Sequence, residues 1–288
     1  MIRLDAATVL LQWATGGLLF LWVTTRRREV GIGYGWLLRA VYGVLAVGAA
    51  AAGLVVDPVA VRDVASLGVA AAASVALAVS IVRRKAGVAG ERARQERKAS
   101  RVAAMAGKDG AAGGPAAPAP APGSEFPPVL DTVAPLIGLV GLVAAGIAAG
   151  GPDALAVART LAGALFLGAV SDAMLLGHWY LVQPGLGRGP LLELNRWLAL
   201  TWPLEVGLLL WPTGMLSVLS GSVDDGWDGT LGWFWVACAV STLVLTVVTK
   251  AALKERAYSA VMAATGLLYL AILTAFGTDL VARAVLAS

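Results

Sequence analysis

Apolar residues run along this chain in stretches of about 20, and polar residues collect in the gaps between them. At about 1.5 Å per helical residue each stretch crosses a hydrocarbon core of about 30 Å. The pattern predicts eight helices, at 6–24, 37–56, 60–82, 129–149, 153–182, 191–219, 231–250 and 257–284. The turn "DPVAVRD" alone divides the second from the third. Membrane strands need alternating segments of about 10 residues, and these runs are longer and continuous. The expected fold is an all-α polytopic transmembrane bundle. Residues 1–82 carry helices one to three, 83–128 a cytoplasmic segment, and 129–288 helices four to eight.

Composition excludes a soluble domain: 58% of the 288 residues are hydrophobic, 14% are charged, and mean hydropathy is +0.78. Charge then orients the spans. With the N-terminus outside, eighteen of the 22 lysines and arginines fall on the inner side, leaving Arg3, Arg62, Arg159 and Arg283 outside. The positive-inside rule therefore predicts both termini outside, in a plasma (inner) membrane protein. Topology accounts for the net charge of +4, and no basic surface interleaved with stacking aromatics points to nucleic acid. The arginine triplet at 26–28 follows the first apolar run, so that run reads as a retained helix and not as a signal peptide. Trp22, Trp36, Trp179 and Trp197 mark inner helix ends, and Trp211, Trp227, Trp233 and Trp235 outer ones, with Trp13 and Trp202 deeper.

The long connection at 83–128 begins as a basic helical extension suited to anionic lipid and ends in an Ala/Pro-rich linker. Outside, "SGSVDDGWDGT" groups Asp224, Asp225 and Asp228 without the spacing of a calcium loop. Small residues recur at helical spacing, as in Gly141, Ala145 and Ala149, and in Ala46, Ala50 and Leu54, which allows close helix packing.

Three ionisable residues interrupt the apolar spans: Asp172 and His178 in the fifth and Glu205 in the sixth. Counting from the inner helix ends places Asp172 about 16–18 Å deep, Glu205 in a similar middle zone, and His178 near the inner boundary. A carboxylate at that depth costs at least about 2.5 kcal/mol, so it needs a partner, a cavity or a ligand. Six residues rotate a helix by about 600°, so Asp172 and His178 point about 120° apart. A protonated acid bonded to Thr201, Gln12 or a backbone carbonyl would serve structure alone, and Pro203 and Pro212 are expected to kink the sixth helix beside Glu205.

A single histidine excludes a bis-histidine haem from this chain alone, and Cys238 offers neither a disulfide nor an iron–sulfur cluster. No metal set and no intrinsic cofactor is expected. His178 with Tyr180, Asn195 and Arg196 at the inner boundary forms a candidate pocket for a quinone head group. The expected function is an integral membrane subunit of a respiratory or redox complex, offering a quinone or proton site and docking other protein subunits. It reads as a non-catalytic subunit and not as a self-contained enzyme. The alternative is a transporter or channel that uses Asp172 and Glu205.

Overall fold

A computed structural model describes residues 4–83, 126–183, 186–212, 214–255 and 257–287. The described residues form helices and no strand: α1 (Ala6–Thr25), α2 (Ile32–Val56), α3 (Ala60–Val82), α4 (Leu130–Ala148), α5 (Asp153–Val182), α6 (Gly189–Leu210), the short α7 (Met215–Leu219), α8 (Thr230–Lys254) and α9 (Tyr258–Leu286). Seven of these, all but α6 and α7, are long and apolar enough to cross a membrane. α6 has the length, 22 residues, but Glu193, Arg196 and Glu205 fall along it. The basic extension and the Ala/Pro linker lie outside the described residues, apart from Arg83 and 126–128.

The helix boundaries follow from local chemistry. Asp5 caps α1, its two carboxylate oxygens accepting from the Ala7 and Thr8 amides at 3.1 Å each. The expected sixth span at 191–219 is not one helix. α6 stops at Leu210 because Trp211 precedes a proline and takes an extended conformation (φ −136°, ψ 152°). Pro212 therefore lies beyond α6 and does not kink it; only Pro203 is inside the helix.

α1 and α5 form the centre. About 72% of α1's most apolar window and 67% of α5's are buried, against 33–44% in the other apolar helices. Their backbones meet at Gly16 and Gly168, where a Cβ on Gly16 would stand 3.1 Å from the Gly168 Cα and closer still to the Ala164 carbonyl. α2, α3 and α4 pack on one side of this pair, and α6, α8 and α9 on the other. Gly141 and Ala145 of the predicted small-residue stripe face inward, whereas Leu54 is 63% exposed and ends the other stripe. Asp5, at the start of α1, and Arg283, in the last turn of α9, line one cleft, so these two helix ends lie at the same face, called the terminal face.

Candidate functional site

Polar side chains enter the bundle at three levels. Farthest from the terminal face, Arg39 of α2 forms a fork with Asp131 of α4, Nε to Oδ1 at 2.8 Å and Nη2 to Oδ2 at 2.7 Å. Thr25 donates to Asp131 at 3.2 Å, Arg39 and Trp36 both donate to the Ser80 hydroxyl, and Phe126 stacks over the guanidinium. Paired in this way, the two charges tie α1, α2, α3 and α4 together. Arg39 is thus a buried clamp and not an exposed loop cation.

Two-thirds of the way along α5, Asp172 is fully buried. Its Oδ1 accepts from the Tyr42 hydroxyl, and Tyr34 donates to its backbone carbonyl at 3.4 Å. Its Oδ2 has no protein partner. Tyr42 reaches it because Gly17 leaves room for the phenol ring against α1.

The third level lies toward the terminal face and gathers more charge than the sequence indicates. Glu205 is fully buried five residues from the end of α6, in the terminal half of the bundle and not at its middle. Around it stand Asp279 and Arg283 of α9 and Arg159 of α5. Arg159 donates from Nε to the Leu208 carbonyl at 2.8 Å, satisfying one of the last acceptors of α6. Arg283 donates from Nε to Asp279 Oδ2 at 2.7 Å. Both oxygens of Glu205, Asp279 Oδ1 and Arg283 Nη2 are buried without a protein hydrogen bond. Two acids and two arginines thus share one buried cluster.

Gly163 of α5 makes this convergence feasible. A Cβ there would meet Gln12 Nε2 at 2.7 Å, Asp279 Oδ1 at 2.9 Å and Arg283 Nη2 at 3.1 Å. Gln12 donates to the Thr160 carbonyl at 2.6 Å and leaves its own Oε1 without a partner. Thr201 bonds back to Trp197 and Leu198 of its own helix, so it is not the partner of Glu205.

A narrow cleft of about 20 Å³ runs inward from the exposed Asp57 and Ala148, past Asp5, Thr8, Arg62 and Thr160, to Arg283. Arg62 is held by Asp5, by Asp63 at 2.8 Å and by the Asp57 carbonyl at 2.6 Å. Arg62, Arg159 and Arg283, which the sequence places outside as loop cations, are each about 1% exposed. The available signals were the Asp279 and Arg283 spacing of one helical turn inside an apolar run, and an arginine seven positions into α5.

The remaining predicted residues separate. His178 is exposed and its Nδ1 pairs with the Tyr269 hydroxyl at 3.0 Å. Tyr180 donates to the Gly187 carbonyl, Asn195 donates to the Thr246 carbonyl at 3.1 Å, and Arg196 is exposed. The three that are bonded engage three different partners. A larger apolar cavity of about 360 Å³ lies instead between α1, α4 and α5, with Thr15, Trp22 and Thr132 among its walls. Among the described residues no three His, Cys, Asp or Glu side chains are grouped to hold a metal.

Asp225 of the acidic loop accepts four backbone amides, from Trp227, Gly229, Leu231 and Gly232, at 2.8–3.2 Å. Desolvation pushes this carboxyl upward, but the four donors together hold it below the ordinary aspartate value. The loop acid thus caps α8.

The sequence matches no known family model, and comparison with curated proteins and with solved structures finds no significant match.

Proposed function

We propose that the chain is an integral membrane subunit of a respiratory or redox assembly that exchanges or conducts protons through its bundle, while partner subunits carry the cofactors. Glu205 carries this reading. An acid buried in a helix bundle with both oxygens lacking a donor, beside a second acid and two arginines, is costly as architecture. It suits a group that gains and loses a proton, because the adjoining arginines balance the charge each time it changes. Asp172 with Tyr42 offers a second proton-holding level nearer the middle. A quinone is the small-molecule ligand of this reading, and the cavity between α1, α4 and α5 has the volume and apolar walls for its isoprenoid portion.

Purified chain in proteoliposomes, with a potassium diffusion potential and a trapped pH dye, tests the proton role. Wild type is expected to carry protons, and Glu205→Gln to slow them at least about tenfold. Wild-type vesicles no faster than protein-free ones would sink it. Copurification of redox subunits from native membranes, followed by visible absorption spectroscopy, tests the assembly. A second reading, a substrate-coupled transporter, draws on the cleft that ends at Arg283. It predicts proton movement only when a co-substrate is supplied.

A further inference from the structure

We infer that the cleft between α1, α3, α4, α5 and α9 is the route by which water and protons reach the Glu205 and Asp279 carboxyls, and that access is from the terminal face alone in this conformation. The inference rests on the proton reading above and specifies its side. Arg283 is the shared wall: it lines the cleft and holds Asp279 from the other side. Thr160 links the two by a second path, since it lines the cleft and its carbonyl receives Gln12, whose amide nitrogen lies against Gly163 together with Asp279 Oδ1. The cleft volume of about 20 Å³ matches one water. Its walls supply carboxylate, hydroxyl and guanidinium partners for that water from Asp5, Thr8 and Arg62.

In the opposite direction the seam between α1 and α5 turns mostly apolar, with Thr15 and Ser171 as its buried hydroxyls. Gly163 and Asp172 are nine residues apart on α5, about 13 Å. Between them α5 presents Phe166, Leu167 and Val170, all fully buried. At the same level α1 presents Leu18 and Phe20, both buried. A proton arriving through the cleft leaves a hydronium by breaking one O–H bond, forms an O–H bond on Glu205 or Asp279, and leaves water behind. The carboxylate charge is cancelled, and the arginines remain paired with the other acid.

The test uses the full chain with Cys238→Ser as background, in sealed vesicles of each orientation. Single cysteines are placed in the cleft (Thr160→Cys, with Thr8→Cys as a second probe), at its mouth (Ala148→Cys) and beyond the apolar layer (Ala173→Cys). A bulky impermeant maleimide on the mouth variant identifies which vesicles expose the terminal face. Brief silver-ion exposure in chloride-free buffer is followed by quenching, unfolding and alkylation, read by mass spectrometry. The cleft thiols are expected to lose later alkylation when silver meets the terminal face and to keep it otherwise, and the Ala173→Cys thiol to keep it in both orientations. Silver reaching neither cleft thiol, or reaching them from the opposite face, overturns the inference. Protection from the terminal face in a protein whose wild type moves no protons overturns the proton reading and leaves the water route standing.

Discussion

Asp279 and Arg283 stand one turn apart on α9, and their single bond, Oδ2 to Nε at 2.7 Å, leaves one oxygen and one nitrogen of the pair turned toward Gly163 of α5. The pair is therefore not a closed salt bridge like Arg39 with Asp131. Removing the arginine alone strands two acids: Arg283→Met is expected to destabilise the bundle by about 3–5 kcal/mol, and Arg283→Met with Asp279→Leu to recover much of that loss. Unfolding titrations of the single and double variants in mixed micelles measure both. A double-variant loss equal to the sum of the Arg283→Met and Asp279→Leu losses would show that the charges are not coupled.

Gly163→Ala sets helix propensity against crowding. Alanine favours a helix by about 1 kcal/mol, yet its Cβ would displace three polar atoms lying within 3.1 Å, and overpacking of that kind costs about 1–3 kcal/mol. Net destabilisation and slowed proton flux are expected. Gly266→Ala, with open space at its Cβ, is the control and is expected to be neutral or stabilising in the same unfolding assay.

The Arg39 and Asp131 fork is an architectural clamp, and its loss is expected to cost stability without altering the site at the terminal face. Asp131→Asn or Arg39→Met should cost about 3–5 kcal/mol, because each leaves an uncompensated buried charge. Thermal stability in detergent and proton flux per folded molecule separate the two effects. Flux should hold while the melting temperature falls.

Tyr42→Phe deprives Asp172 of its one side-chain donor, and Oδ2 already has none. The expected cost is about 1–3 kcal/mol. Asp172→Asn in the same background should restore part of it, since a neutral amide tolerates the site better than a carboxyl stripped of its donor. A thermodynamic cycle over the four proteins gives the coupling, and a zero value would refute the contact.

Asp225 carries a pH dependence with a definite sign. Its folded value lies below the unfolded one, so its stabilisation of the loop is fully present above the unfolded value and is lost as the pH falls through the folded value. Hydrogen exchange at the amides of Trp227, Gly229, Leu231 and Gly232 should quicken in acid and should already be fast in Asp225→Ala at neutral pH. Exchange indifferent to both changes would refute the cap.

Long apolar runs fixed most helix positions, because backbone amides in hydrocarbon must be satisfied within the segment, and length is then set by membrane thickness. The error at the sixth span came from hydropathy continuing past Trp211 where the backbone does not. The sequence also marked Asp172 and Glu205, since an acid inside an apolar run stands out whatever surrounds it. It missed Arg159, Arg283 and Asp279, which lie near helix ends and count there as ordinary boundary charges. Only the tertiary structure could gather them. Their meeting depends on the start of α5 and the ends of α6 and α9 lying at one face, and on a glycine at position 163 where a side chain would have kept them apart. Likewise the sequence set Tyr180, Asn195 and Arg196 near His178, but helix rotation sent His178, Tyr180 and Asn195 to different neighbours and left Arg196 exposed. Periodicity along one chain determines what a helix is; which faces meet is decided by packing between helices, where small residues and paired charges outweigh proximity in sequence.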